Sequence, residues 1–296
     1  MPNKKKSINW YFVKKKGMAI TFLLPGVLAT LLFKYYTIVD AVRLSFYRYD
    51  VRKPPGRFVG LKNFEALFKD PDYWRAWKNT FIFLALVLLI TFLIPLIQAL
   101  FLEPLTRFQN LASTLYILPA LIPGTITIVL WKWIWNPSYG AANYLLKLIG
   151  VSSQSWMSDT RMVKFCIVFP GIIGGGLGVL IYLSAIYGIS EDVKEAARLD
   201  GCVGFKRILY ITLPNIKFII FINFVMSIIG SMQMMDNIYQ YTNGGPALAS
   251  ESAALYVYHQ YMNKYNYGQG SAASLLLMAV IALLTLIQLR INEKQD

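Results

Sequence analysis

The sequence has few cysteines, few histidines and few charged residues, and each scarcity excludes a class of protein. The two cysteines are Cys166 and Cys202, and the single histidine is His259. A disulfide framework and a Cys/His metal site therefore lack their residues, and a Ser-His-Asp arrangement has little to build on. Charged residues make up 15% of the chain, whereas an ordinary soluble domain has about 25%. The shortage of charge comes from long stretches that contain none.

Long charge-free runs cover much of the chain, and each is about as long as the roughly 17 to 25 residues that a helix needs to cross a bilayer. They account for a hydrophobic share of 56% and a mean hydropathy of +0.47 over 296 residues. This excludes a soluble enzyme, a secreted disulfide scaffold and a single-anchor receptor. We predict an all-α polytopic membrane protein in which residues 1–296 form one transmembrane domain. Its six transmembrane helices are expected at about 17–39, 79–102, 110–133, 165–189, 214–235 and 270–290.

Basic residues are in excess and cluster before and between the hydrophobic runs. The chain has 29 Lys and Arg residues against 15 Asp and Glu residues, which gives a net charge of +14. In a soluble protein this excess would suggest a nucleic-acid partner. Their positions here instead indicate topology signals and contacts with lipid headgroups. We therefore expect the lipid bilayer, and no nucleic acid, as a partner.

Loop charge predicts the orientation of the chain, with one disagreement. The lysine-rich amino terminus and the basic loop 190–213 favour the cytoplasm, which places both termini inside. Segment 40–78 would then lie outside, although it carries nine basic residues against five acidic ones. Its Pro54-Pro55-Gly56 breaker and its Gly60-Leu61-Lys62-Asn63-Phe64 sequence predict a folded outer loop with a short helix. A cleaved signal peptide is the alternative at the amino terminus, but no clear small-x-small site follows, so the first span is expected to be kept.

The sequence also lacks an obvious source of energy for transport. No Asp or Glu lies in the middle of a predicted span, since Glu103 and Asp236 stand at the edges. A proton- or sodium-driven carrier usually needs an intramembrane ionisable group. No Gly-x-x-x-x-Gly-Lys-Ser/Thr loop occurs, so this chain has no phosphate-binding loop of that kind. Energy, if it is used, is expected from a partner.

Uncharged polar residues do occur in and beside the fifth predicted span. Amides and hydroxyls can hydrogen-bond to a neutral polyhydroxylated solute without the cost of burying a charge. Hydrogen bonds between helices are the competing interpretation. The candidate residues of a solute pathway are Asn223, Ser227, Gln233 and Asn237.

The loop at 190–213 has the pattern of two short helices that meet at a glycine. Ser190 can cap the first helix, acids follow in its first turn, and Arg198 lies near its end, all of which suit a helix dipole. Gly201 permits a left-handed backbone and a sharp turn. Helical spacing then resumes until Pro214, where the next span is expected to open. An ordinary connecting loop is the alternative to a compact cytoplasmic knob.

The same loop resembles the EAA motif of membrane subunits of binding-protein-dependent ABC importers. The matching positions are Glu195, Ala196, Ala197, Gly201, Ile211, Leu213 and Pro214, and Cys202 replaces the usual alanine. Two further segments are similar to sugar permeases of the maltose and glycerol-phosphate type. They are Gly60-Leu61-Lys62-Asn63-Phe64 and Tyr241-Thr242-Asn243-Gly244-Gly245-Pro246.

The resemblance implies the type I ABC importer permease fold and a transport role without covalent chemistry. This chain would be the permease subunit of an ATP-driven importer of a carbohydrate, an oligosaccharide in particular. The loop would couple the spans to the ATPase. The coupling residues would be Glu195, Ala196, Ala197, Asp200, Gly201, Leu213 and Pro214. An ion-coupled secondary transporter or a channel for a small polar solute remains the alternative.

The resemblance also implies the partners and the location. The partners would be a second homologous permease, as a heterodimer, two ATPase subunits, an extracytoplasmic solute-binding protein and the carbohydrate itself. This chain would hold no cofactor, no metal and no catalytic residue, while ATP and Mg would bind to the ATPase subunits. The location would be the bacterial plasma (inner) membrane, with multiple spans and both termini cytoplasmic. Whether the sugar is acidic stays open.

Overall fold

The computed structural model describes residues 21–49, 56–104, 114–115, 118–173 and 176–293, and helices make up most of them. A two-stranded antiparallel hairpin, β1 (Tyr47–Arg48) and β2 (Arg57–Phe58), joins the first two helices. The helices are α1 (Thr21–Ser45), α2 (Lys62–Lys69), α3 (Pro71–Leu102), α4 (Gly124–Ile134), α5 (Ala141–Leu148), α6 (Val163–Ile172), α7 (Gly176–Tyr187), α8 (Glu191–Leu199), α9 (Phe205–Asn215), α10 (Lys217–Met232), α11 (Asp236–Thr242), α12 (Ala253–Met262) and α13 (Tyr267–Glu293).

Several helices are suited to crossing a membrane. Helices α1, α3 and α13 are each long and apolar enough to span a bilayer alone, and the bent pairs α6 with α7 and α9 with α10 are two further candidates. Helix α4 covers the second half of the predicted span 110–133, and part of the first half, 110–113 and 116–117, lies outside the described residues. The fold is all-α and polytopic, as the sequence predicts.

Helices α1 and α3 extend well beyond the charge-free runs that predicted them. Helix α1 continues to Ser45, past the expected end at 39, and Asp40 and Arg43 pair at 2.7 Å on one face of this last part. Helix α3 begins at Pro71 rather than at 79. The Asp70 carboxylate accepts a hydrogen bond from the backbone N–H of Asp72 at 2.9 Å, which caps the helix before the apolar run begins. Charged residues at a helix end thus belong to the helix although they leave the bilayer.

The fifth predicted span, 214–235, is built differently from the expectation. Pro214 lies inside α9 instead of opening a span, and the chain bends by 71° between α9 and α10. Proline lacks the N–H that would bond to the carbonyl four residues earlier, so its effect falls on the turn before it, where Ile208–Thr212 is a π-helix, whereas the bend lies after it at Ile216. Lys217–Met232 is therefore the straight part of this candidate span, and α9 precedes it at an angle.

Helix α3 marks two opposite ends of the molecule. At its start, the Tyr256 hydroxyl donates to Asp70 at 2.6 Å, which ties segment 236–268 to segment 40–78. At its other end, Arg207 pairs with Glu103 at 2.5 Å, which ties α9 to α3. Thirty-two helical residues separate these contacts, roughly 48 Å at 1.5 Å per residue. The basic segment 40–78 and the loop 190–213 therefore lie on opposite ends.

Segment 40–78 forms a folded element on α1 and α13. The Asn63 amide donates to the backbone carbonyls of Ser45 at 2.7 Å and Tyr47 at 3.0 Å. Gly268, at the start of α13, lies so close that an added Cβ would be 2.2 Å from the Tyr47 carbonyl oxygen. Only glycine permits this approach. The Gly60-Leu61-Lys62-Asn63-Phe64 sequence thus enters α2 and fixes the hairpin to the ends of two long helices.

Candidate functional site

Helix α8 forms the first half of the loop at 190–213. Glu191 pairs with Lys194 at 2.8 Å in the first turn, and the hydrogen bond from that ammonium, with its charge, lowers the pKa of Glu191. Ser190 occupies the N-cap position, but its side chain makes no capping hydrogen bond. The acids of the first turn, rather than a serine hydroxyl, complement the helix dipole here.

The helix ends where the glycine predicts. Gly201 has a φ of +70°, its N–H donates to the Arg198 carbonyl at 3.1 Å, and the Cys202 N–H donates to the Ala197 carbonyl at 2.8 Å. These paired bonds form a Schellman motif, which turns the chain sharply. An added Cβ at Gly201 would meet no atom within 4 Å, so the requirement for glycine is conformational and not steric.

The predicted coupling residues divide between a buried and an exposed set. Ala197 is buried, whereas Glu195, Ala196 and Asp200 are exposed. Large apolar side chains are also exposed around the Gly201 turn, and we call this set the knob surface. It comprises Leu199 at 88%, Val203 at 58% and Phe205 at 75% exposure. An apolar patch on a polar loop is typical of a surface that packs against another protein.

The second half of the loop is anchored to the membrane-spanning helices. Leu213 packs against a buried cluster contributed by α3, α7 and the α9–α10 junction, while Pro214 is exposed. The Arg207–Glu103 ion pair, with side chains 22% and 15% exposed, adds a polar connection to the end of α3. The second half of the loop is thus connected to α3 and α7 through both apolar and charged contacts.

A second site is an open cavity of about 530 Å³ between α3, α4, α6, α10 and α11. Its polar lining consists of hydroxyls and one amide, and none of the described residues that line it is Asp, Glu, Lys, Arg or His. Burial raises the pKa of Tyr241 to about 12, so that hydroxyl stays neutral. The polar lining residues are Thr91, Thr127, Ser227, Ser231, Asn237 and Tyr241.

The structure brings together two of the four predicted pathway residues. Ser227 and Asn237 line the cavity, and neither side chain hydrogen-bonds to another described residue. Asn223 is half-buried and donates to the carbonyl of Ile219 in its own helix at 2.9 Å, and it does not line the cavity. Gln233 caps the end of α10 and is exposed outside the lining. An unpaired amide and an unpaired hydroxyl are thus available to a bound solute.

Sequence reasoning missed Thr91 and Thr127, which contribute hydroxyls to the lining. Both stand inside apolar runs, and isolated threonines there are easily assigned to bonds with the preceding helical turn. Thr91 does make such a bond, to Val87 at 3.0 Å. Pairing of α3 with α6 places it at the cavity, since an added Cβ on Gly171 would lie 2.7 Å from the Thr91 methyl group.

A buried polar network fixes the loop that follows α11. His259 Nδ1 lies 2.6 Å from Glu251 Oε1, and His259 Nε2 lies 2.9 Å from Asn243 Oδ1. The Asn79 amide donates to the Leu248 and Glu251 carbonyls at 3.0 and 2.9 Å. The chain's single histidine is therefore a structural residue that holds the loop beside Tyr241.

Comparisons with known proteins agree with this architecture. A family model described as "Binding-protein-dependent transport system inner membrane component" matches residues 97–295. The probable ABC transporter permease protein YurN of Bacillus subtilis (strain 168) is 30% identical over 282 residues, which cover 94% of this chain and 96% of that protein. The arabinooligosaccharides transport system permease protein AraP of the same organism is 29% identical over 300 residues, which cover 99% and 94%.

Solved structures show the same fold. A chain of a bacterial ABC transporter involved in the import of the acidic polysaccharide alginate superposes with a TM-score of 0.85 at 23% identity. The superposition covers 96% of this chain and 98% of that chain. At this identity the likeness concerns the fold alone, which is that of a type I importer permease.

Proposed function

We propose a solute, partners and a coupling route for this chain, which belongs to the family of inner membrane components of binding-protein-dependent transport systems. Members of this family are transport subunits and not enzymes. The solute proposed here is a neutral oligosaccharide. It passes through the cavity between α3, α4, α6, α10 and α11.

The composition of the cavity wall carries this proposal. Hydroxyl and amide groups can replace the water that solvates a sugar, whereas a charged solute would require a compensating charge to offset its desolvation. None of the described lining residues supplies one. Carbohydrate as the solute class is further supported by AraP, which is named for arabinooligosaccharides, and by the alginate transporter of similar fold. The alginate transporter's solute is acidic, and the uncharged wall argues for a neutral one here.

Coupling to ATP proceeds in this proposal through the loop 190–213. The knob surface and the exposed residues Glu195, Ala196 and Asp200 dock onto an ATPase subunit, and Gly201 sets the angle between α8 and α9. ATP and Mg bind to two such ATPase subunits, and their closure moves the spans between two states as rigid bodies. The exposed apolar side chains around the turn support this docking role.

The remaining partners follow from the same family membership. A second homologous permease completes the pathway, and an extracytoplasmic solute-binding protein delivers the sugar at the end where segments 40–78 and 236–268 meet. The loop 190–213 and both termini face the cytoplasm of a bacterial cell. The Tyr256–Asp70 hydrogen bond between those two segments, and the bond from the neighbouring Asn79 to Glu251, support an extracytoplasmic face that keeps its shape while the binding protein docks.

Uptake by the reconstituted complex tests the solute and its path together. The Asn237→Ala and Ser227→Ala variants should lower ATP-dependent uptake of a neutral oligosaccharide, because each leaves a sugar hydroxyl without its partner at a cost of roughly 1 to 3 kcal/mol. Asn223→Ala is the matched control, since Asn223 bonds to its own helix. Equal uptake by all three variants would remove the cavity from the path. Transport of an acidic sugar with no neutral one would overturn the solute class.

A further inference from the structure

A second cavity, of about 510 Å³, lies in the folded segment at the start of the chain and is strongly basic. Arg48 and Arg57 come from the hairpin and Lys62 from the start of α2, while Asn266 and Gln269 contribute amides from the start of α13. None of the described residues that line it is acidic. Three cations and neutral donors thus face one space.

Within the described part of the chain, these three cations make no ion pairs of the kind that neighbouring basic residues make. Arg43, Lys69 and Arg75 each pair with an acid one turn away, at distances of 2.6 to 3.2 Å. No such pair joins Arg48, Arg57 or Lys62 to another part of the chain that the structure describes.

The hairpin register brings two of these charges together. Arg48 and Arg57 stand directly opposite each other across the two strands, an arrangement that costs free energy because like charges repel. Glu65 attracts Lys62 but is hydrogen-bonded to Lys69 at 2.6 Å. An anion from outside the chain would relieve this repulsion.

The position of the cavity indicates where that anion comes from. It lies at the ends of α1 and α13, and the apolar stretch of α1 has no buried residue, so α1 is at the perimeter of the chain. Phe58 and Leu61, 64% and 67% exposed, flank the cations. Cations beside exposed apolar side chains at the end of a spanning helix are typical of contact with lipid headgroups. No lining residue is shared with the solute cavity.

We propose that this cavity binds the phosphodiester of an anionic phospholipid at the membrane surface. Arg48, Arg57 and Lys62 hold the phosphate oxygens, for which the guanidinium fork is well shaped. Asn266 and Gln269 bond to the polar headgroup, and Phe58 and Leu61 enter the boundary of the acyl chains. Headgroup binding also accounts for a basic segment on the side that the positive-inside rule disfavours. Only the assignment to the outer leaflet rests on the proposed function.

Lipid binding by the purified, assembled transporter tests this site. The test variant combines Arg48→Gln, Arg57→Gln and Lys62→Gln, and the control combines Arg43→Gln, Lys69→Gln and Arg75→Gln, which removes the same charge from paired residues of the same region. Phosphatidylglycerol is titrated into detergent-solubilised complex, with phosphatidylcholine as the neutral comparison. Bound lipid is counted by native mass spectrometry. The test variant should bind phosphatidylglycerol roughly 100-fold more weakly at low salt, and the control within a few-fold of the natural protein.

Three outcomes would overturn the proposal. The first is unchanged phosphatidylglycerol affinity in the test variant, and the second is an equal loss of that affinity in the control. The third is loss of affinity for the solute-binding protein while lipid binding persists, which would indicate that an acidic protein surface occupies the cavity. Co-purification of the partner subunits checks assembly. If the triple variant does not assemble, Arg57→Gln alone should weaken phosphatidylglycerol binding roughly five-fold. This experiment measures lipid binding and not transport, so its result does not depend on whether the neutral-sugar proposal is right.

Discussion

Residues at turns and in the cavity show what a side chain's chemical type alone can and cannot predict. The glycine at 201 is predictable, since a helix that ends at a glycine needs a left-handed residue there, and the structure gives it a φ of +70°. Asn223 illustrates the limit. A polar residue in an apolar run can face a solute or bond to its own backbone. The rotation of α10 in the bundle, which the local sequence does not encode, keeps Asn223 out of the cavity lining, and its amide bonds to the Ile219 carbonyl of the same helix.

Substitutions at Gly201 should separate backbone conformation from available space. Because an added Cβ meets no atom within 4 Å, Gly201→Asn should retain most solute-stimulated ATPase activity, as asparagine tolerates the left-handed region. Gly201→Val should lose most of it, because a β-branched residue at positive φ carries strain of order 1 to 3 kcal/mol. The measurement is ATP hydrolysis by the reconstituted complex with loaded binding protein. Equal activity of the two variants would contradict a conformational role for the turn.

At the scale of helices, hydropathy predicts which segments are long and apolar enough to span a membrane, but it does not predict where each helix ends or how it bends. Charge-free runs coincide with most of α3 and α13, because each run contains most of the apolar residues of its helix. Hydropathy does not predict the helix ends, because these contain polar residues. Asp70 caps the start of α3, and the Asp40–Arg43 pair lies in the last turns of α1. Hydropathy does not predict the 71° bend between α9 and α10 either, because an average over residues carries no information about the direction of the helix axis.

The ion pair between α3 and α9 should matter to coupling as a contact between elements. Glu103→Arg alone or Arg207→Glu alone should lower coupled uptake several-fold, because the pair is only 15% to 22% exposed and its loss leaves a partly buried charge without a partner. The double exchange Glu103→Arg with Arg207→Glu should restore part of that loss. Uptake per ATP hydrolysed is the quantity to compare. Absence of rescue, with both single variants assembled, would indicate that these two side chains act separately.

The whole molecule has two distinct ends. They are identified by contacts between segments that are far apart in the sequence. Loop charge predicted the sides only with a disagreement at segment 40–78. The Tyr256–Asp70 and Arg207–Glu103 contacts at the two ends of α3 place that segment opposite the loop 190–213. The relative sides are therefore fixed by tertiary contacts, which hydropathy and charge counting cannot supply.

Thiol labelling should establish which end faces the cytoplasm. Cys166 is fully buried and Cys202 is partly accessible beside the Gly201 turn, so one thiol should react. A membrane-impermeant maleimide should label Cys202 only after the cells are opened. A cysteine introduced at the exposed Ser153, in a Cys202→Ser background, should react in intact cells. Labelling of Cys202 in intact cells would reverse the orientation.

The uncharged wall of the solute cavity has an electrical consequence. A membrane potential of 100 mV does about 2.3 kcal/mol of work on each elementary charge that moves through the full field. The described lining carries no formal charge, and a neutral sugar brings none. If the solute is the neutral sugar proposed above, movement of the sugar past these lining side chains displaces no formal charge through the field, so the potential should neither drive the sugar inward nor oppose its entry. A cell whose membrane is depolarised but still supplied with ATP would load this solute as well as an energised one.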